Sequence, residues 1–176
     1  MRKIQRIVVI GFRGTGKSTI ASILAEKSSW KLISTDDLVE KTAGQTIRKL
    51  VEEKGWKHFR NLESEIIKKI SREKHAVIDT GGGIIESKVS MNKLSKHSFV
   101  VWVDAELKDI IERVENQNIR PLLNKSNLKE DIYSHYDRRY PLYQEYSQLK
   151  VNTSVDSVDK ICEQILTALN HLSIII

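Results

Sequence analysis

Eight residues, Gly11-Phe12-Arg13-Gly14-Thr15-Gly16-Lys17-Ser18, follow the spacing G-x-x-x-x-G-K-[ST] in full. Phosphate binding is the chemistry this spacing serves. Glycines let the backbone close around a phosphate, and successive N–H groups, with the N-terminus of the helix that must follow, supply positive potential. Lys17 is placed to reach the β- and γ-phosphates, and the Ser18 hydroxyl to meet Mg²⁺. Gly14, Thr15, Gly16, Lys17, Ser18 and Thr19 are therefore expected around a nucleotide's phosphates. The plainer alternative is a glycine-rich turn that only caps a helix.

The elements that such a loop needs are present on both sides. Ile7–Ile10 before it is a β-branched run without polar alternation, the pattern of a strand buried on both faces; Thr19–Lys27 after it carries Ile20, Ile23 and Leu24 at helical spacing. Short apolar runs recur at Lys31–Ile33, Ala76–Ile78, Phe99–Val103 and, more weakly, Leu149–Val151. Between them lie helical patterns at Asn61–Ser71 and Glu106–Val114, and Ser157 is placed to cap a final helix. Strands alternating with helices predict a parallel sheet covered on both faces, one doubly wound α/β domain. The Asn- and Gln-rich stretch Asn116–Lys129 reads as a loop.

Bulk properties agree with a globular domain. The 176 residues include 29 Lys plus Arg against 23 Asp plus Glu, a formal net charge of +6, with 40% apolar residues. The single cysteine, Cys162, makes neither an internal disulfide nor a zinc site by itself, and no apolar run approaches membrane-spanning length, so a cytoplasmic protein is expected. The sequence pI near 9.3 and the tyrosines Tyr133, Tyr136, Tyr140, Tyr143 and Tyr146 would suit RNA. Dispersed basic residues and a helix-packing role explain them better, and no nucleic-acid or membrane partner is expected. His58, His75, His97, His135 and His171 show no ligand spacing.

A phosphate loop does not name the phosphoryl acceptor. The guanine-specifying N-K-x-D is absent and the chain is short for an ATPase motor, which favours a small-molecule kinase. Further segments narrow this: Ser34-Thr35-Asp36-Asp37-Leu38-Val39-Glu40, Gly44-Gln45-Thr46-Ile47, Phe59-Arg60-x-x-Glu63, Gly81-Gly82-Gly83, Arg113, Arg120-Pro121-Leu122-Leu123 and Arg139-x-Pro141-Leu142-Tyr143. In this order and spacing around the phosphate loop, they resemble the shikimate kinase family over essentially the whole chain.

The resemblance implies a three-layer fold with a five-stranded parallel sheet in the order 2-3-1-4-5, a substrate-binding helical region at about 35–62 and a lid at about 114–128. It implies transfer of the γ-phosphoryl of ATP to the 3-hydroxyl of shikimate, with Mg²⁺, by a cytoplasmic monomer. A small carboxylate with hydroxyls calls for planar cations and a proton acceptor. Arg60 and Arg139 match the family's carboxylate clamp, Glu63 the acid orienting the first of them, and Asp36 the aspartate that binds ring hydroxyls and can serve as general base. Gly81, Gly82 and Gly83 would let backbone approach the substrate. Arg113 matches the arginine packed on adenine, Arg120 the lid arginine that swings toward the phosphates, and Val151–Ser154 the adenine-side loop. Plainer roles stand beside these: a solvated helix face for Arg60 and Arg139, a helix N-cap for Asp36, a last-turn helix position for Arg113.

The chain departs from the family in two places: Gly55-Trp56-Lys57-His58 replaces an acidic segment common before the Phe-Arg pair, which bears on local electrostatics, and the metal position differs. The family has Asp-x-Asp after the second strand, its first aspartate assisting Mg²⁺; here that position is Ser34. Asp79, at the end of the Ala76–Ile78 run, either supplies the metal's carboxylate in its place, beside Ser18, or orders the glycine loop. Two other readings therefore stay open: a kinase of this fold for a different hydroxylated acceptor, and a catalytically lapsed nucleotide-binding homologue.

Overall fold

The β-branched run forms β1, Arg6–Ile10, in the computed structural model, which describes residues 4–117 and 128–171. Four more strands join it: β2 (Lys31–Ser34), β3 (Ala76–Asp79), β4 (Ser98–Asp104) and β5 (Leu149–Asn152). All pair in parallel, in the order β2-β3-β1-β4-β5. This is the expected three-layer α/β topology, each strand extending the expected run by one residue at one end or both.

Every residue of β1, β3 and β4 is buried, which is why these strands read as unbroken apolar runs rather than alternating ones. Side chains still alternate between faces. Ile7 and Val9 pack under α1 (Lys17–Ser28) and α7 (Val158–His171), while Val8 and Ile10 join the opposite core. That second core is covered by α2 (Thr35–Ala43), α3 (Ile47–Ile70), α4 (Lys88–Ser95), α5 (Leu107–Gln117) and α6 (Leu128–Tyr146). Cys162 is buried in the α7 core, and among the described residues no helix is long and apolar enough to cross a membrane.

Helix starts differ in a way that bears on function. Ser34, Thr46 and Ser87 cap α2, α3 and α4 with side-chain oxygens. The α1 cap is Gly16, left-handed at φ 87°, with no side-chain cap, so the first N–H groups of α1 face outward for another acceptor. The cap of α2 also corrects one expectation: Ser34 Oγ accepts from the Asp37 N–H at 3.2 Å, so the capping role does not fall to Asp36. Asp36 instead lies within the first turn, one residue inside the helix.

Helix extends over Ile47–Ile70, well beyond the Asn61–Ser71 pattern, in two segments that Gly55, at φ 78° and ψ 165°, separates. The break divides the segment that begins at Ile47 from the segment bearing Phe59, Arg60 and Glu63. Across the break, Ile47 and Leu50 remain buried in the same core as Ile66, Ile67 and Ile70.

Candidate active site

The phosphate loop sits where β1 passes into α1. Lys17 is nearly buried and its ammonium donates to the Phe12 carbonyl at 2.7 Å, as does the Thr15 hydroxyl at 2.8 Å, so the loop is held closed around its own backbone. Gly14, Gly16, Lys17, Ser18 and Thr19 line a cavity of about 390 Å³ together with Arg113, Thr153 and Val158. Arg113 Nη1 donates to the Gly14 carbonyl at 3.2 Å and to Thr153 Oγ1 at 3.0 Å, and Thr153 Oγ1 donates to the Thr15 carbonyl at 2.9 Å. Arg113 and the loop after β5 thus meet on one side of the phosphate loop.

A second pocket opens on the other side of the loop. It is lined by Arg13, Ile47, Trp56, Phe59, Arg60, Glu63, Gly81, Gly82, Gly83 and Arg139, which joins α3, the glycine triplet and α6 at the phosphate loop. Its volume is about 30 Å³. Arg60 packs against its glycine wall at Gly83. Its guanidinium carbon stands 4.9 Å from the Phe59 ring centroid and 5.8 Å from that of Trp56, and Nη1 donates to Glu63 Oε2 at 2.7 Å. A side chain on Gly83 would overlap that guanidinium, and one on Gly81 would come 2.7 Å from Asp36 Oδ1 and 3.2 Å from Glu63 Oε1. The glycines are therefore required for the arginine and both carboxylates to converge here. Burial pushes the Glu63 carboxyl up from its ordinary range, and Arg60 partly offsets this.

Gly82 brings the second pocket against the phosphate loop, where Arg13 of that pocket adjoins Gly14 of the first. An added Cβ there would lie 3.2 Å from the Arg13 nitrogen and 3.3 Å from the Gly11 carbonyl oxygen, so the glycine triplet rests on the backbone of the phosphate loop. Whatever occupies the Arg60 pocket lies next to whatever occupies the Lys17 cavity. That is the arrangement group transfer requires.

Two residues of this region, Glu86 and Asp131, were not singled out in the sequence, and two others, Tyr143 and Arg13, were given no part in the acceptor pocket. Glu86 accepts from Arg139 Nε at 2.9 Å and Nη2 at 2.7 Å and pairs with Arg138 at 2.6 Å. Although burial alone would raise it, Arg139 and Arg138 hold the Glu86 carboxyl below its ordinary value. Tyr143 donates to the Gly82 carbonyl at 2.8 Å. Arg13 pairs with the buried Asp131 at 2.7 Å. Burial lowers the Arg13 pKa and Asp131 opposes the shift. A cation inside a glycine loop and a buried Asp near the start of a helix were the available signals, but pairing over 118 residues leaves no local trace.

Asp79 ends β3 almost fully buried. Burial raises its pKa, opposed by the Lys17 charge and by hydrogen bonding with Ser18, so the three residues form one cluster. Asp79 Oδ1 has no hydrogen-bond partner among the described residues. A buried carboxylate oxygen beside a hydroxyl is a donor set suited to a hard cation that keeps most of its waters.

The predicted residues Gly14 to Thr19, Asp36, Arg60, Glu63, Asp79, Gly81 to Gly83, Arg113 and Arg139 thus gather around two adjoining pockets. Arg120 lies outside the described residues, as does the interior of the expected lid; the described ends of that lid are the C-terminal residues of α5 and the first residue of α6.

Known proteins resemble the chain over nearly its whole length. The family model for shikimate kinase matches residues 13–170. A shikimate kinase from Sulfurihydrogenibium sp. is 34% identical over 168 residues, covering 96% of this chain and 99% of that protein. A shikimate kinase from Acinetobacter baumannii, solved in complex with shikimate, superposes with a TM-score of 0.90 at 25% identity over 97% of this chain and 95% of the other. That of Aquifex aeolicus gives 0.83 at 29% identity, with 96% and 98% covered.

Proposed function

Because the chain belongs to the shikimate kinase family, we propose that it transfers the γ-phosphoryl group of ATP to the 3-hydroxyl of shikimate, giving shikimate 3-phosphate and ADP on the route to chorismate and the aromatic amino acids. The observation that carries this reading is the second pocket: two arginines and three glycines on a wall that touches the phosphate loop. Phosphoryl transfer depends mainly on positioning and charge neutralisation, and this juxtaposition supplies both.

Each residue then has a task. The outward N–H groups of Gly14 to Thr19 and the Lys17 ammonium hold the ATP phosphates, and Arg113 bounds the nucleotide cavity on the adenine side. Arg60 and Arg139 receive the shikimate carboxylate. Since Arg60 packs against the pocket's glycine wall, the carboxylate enters by drawing that guanidinium onto itself while Glu63 retains Nη1. Asp36, above Gly81, accepts the hydrogen bond of the ring hydroxyl and takes its proton as the new P–O bond forms. Arg120 is assigned to the transferring phosphate by the family pattern, within a lid at about 114–128; the helical region at about 35–62 closes the acceptor side.

Ser18 and Asp79 are the residues that would hold Mg²⁺, through its waters and the nucleotide's oxygens. Bound there, the ion would neutralise charge on the β- and γ-phosphates. All the assigned residues come from one chain, and a cytoplasmic monomer is the proposed working form.

An ADP-release assay over a panel of hydroxylated acids tests the reading. Turnover of shikimate at roughly 1–10³ s⁻¹, the ordinary enzyme range, is expected. Selective turnover of another acceptor would reassign the second pocket, and ATP binding without transfer to any acceptor would make the protein a nucleotide-binding homologue.

A further inference from the structure

Arg139 is almost completely buried, and its guanidinium is gripped along one edge. Nε and Nη2 both donate to Glu86 Oε2, while Glu86 Oε1 takes Arg138. A guanidinium is a planar fork of five N–H bonds, so a carboxylate on the Nε–Nη2 edge leaves the Nη1–Nη2 edge for a second one. Glu86 does not line the acceptor pocket; Arg139 does. The glutamate therefore approaches from behind.

The mounting of Glu86 strengthens this geometry. It closes the 3-10 turn Ile84–Glu86 that follows the glycine triplet, and Tyr143, one helical turn beyond Arg139 on α6, ties the same loop to α6 through the Gly82 carbonyl. Two contacts from one face of α6 thus lock the loop and the arginine together.

We infer that Glu86 is the positioning residue of Arg139, fixing the plane of its guanidinium so that its Nη1–Nη2 edge meets the acceptor's carboxylate, as Glu63 does for Arg60. The inference rests on the acceptor being a carboxylate, the reading proposed above. Glu86 also has an opposing effect, since its charge weakens the positive field in the pocket. Substitution by Asp separates the two, because Asp keeps the charge and withdraws the oxygens by one methylene.

The experiment measures kcat/KM for shikimate, KM for ATP and thermal midpoint in wild type, Glu86→Asp, Arg139→Ala and the double variant. Loss of a charge-assisted contact predicts that Glu86→Asp lowers kcat/KM for shikimate about 10-fold, with KM for ATP and thermal midpoint unchanged. In the Arg139→Ala background, where Arg138 still pairs with Glu86, the same change should have no further effect. A merely structural role would give the loss in both backgrounds and lower the midpoint. An unchanged or raised kcat/KM in Glu86→Asp, or an undiminished loss without Arg139, overturns the inference. Normal shikimate turnover by wild type keeps that failure separate from failure of the proposed function; a wild type that neither binds nor phosphorylates shikimate overturns both.

Discussion

Ser34 and Asp79 are register partners at the ends of β2 and β3. Partners in a parallel pair send their side chains to the same face of the sheet, so a carboxylate at either position leaves the sheet at the same level. The family's metal-assisting aspartate belongs to the end of β2; this chain has a helix-capping serine there and an acid at the end of β3, next to Ser18 and Lys17.

Asp79→Asn is therefore expected to raise the Mg²⁺ concentration for half-maximal rate about 10-fold, and adding Ser34→Asp should recover part of the loss. Aspartate caps helices as well as serine does, so the rescue leaves α2 intact. Activity titrated against Mg²⁺, together with the Mg²⁺-dependent thermal shift in ADP, measures the coupling. An Asp79→Asn protein with unchanged Mg²⁺ dependence would leave Asp79 as a residue that orders the loop.

Arg60→Ala and Arg139→Ala should each lower kcat/KM for shikimate by an amount typical of breaking a buried charged pair, about 2–5 kcal/mol, with ATP affinity unchanged. Lys17→Ala should instead abolish transfer to every acceptor. Steady-state kinetics with nucleotide binding by calorimetry separates the classes.

Two glycine variants should fail differently. A Cβ at Gly11, where φ is 152°, would collide with the Val103 backbone carbonyl, so Gly11→Ala should destabilise the fold by about 1–3 kcal/mol or more. Gly83→Ala meets the flexible end of Arg60 rather than backbone, so it should keep most of its stability and lose shikimate affinity. Urea unfolding and acceptor KM distinguish them.

Stability should fall as pH drops through the ordinary histidine range. Burial lowers the pKa of His135, and Arg139 and Arg138 add to this against Asp131 and Glu86. The unfolded chain then binds a proton near pH 6.5, the ordinary histidine value, while the native chain does not, so unfolding becomes more favourable on acidification until the native group also titrates. His135→Asn should flatten this part of a stability–pH curve obtained by denaturant unfolding.

The sheet was legible because strands buried on both faces leave uninterrupted β-branched runs, as in Ile7–Ile10 and Phe99–Val103. The donor side was legible because the phosphate loop is contiguous in sequence. The first half of α3 was not, since Gly55 breaks the periodicity that Leu62, Ile66, Ile67 and Ile70 maintain. Nor were the counter-ions of the acceptor arginines equally visible. Glu63 stands three residues from Arg60 and shares its helix, whereas Glu86 reaches Arg139 across 53 residues only after α6 docks on the glycine loop. Asp36 lies beside Gly81, and its alternative as a cap was settled by Ser34, a competition between neighbouring residues that composition cannot rank.

The resting of Gly82 on the phosphate loop has an evolutionary corollary. Even one added carbon there would press against the Arg13 nitrogen and the Gly11 carbonyl, so a side chain on the floor shared by the two pockets would have to shift the backbone of the phosphate loop. A descendant that changes its acceptor has its easier mutations on the rim, at Arg13, Ile47, Trp56, Phe59, Arg60, Glu63 and Arg139, and its harder ones on that floor.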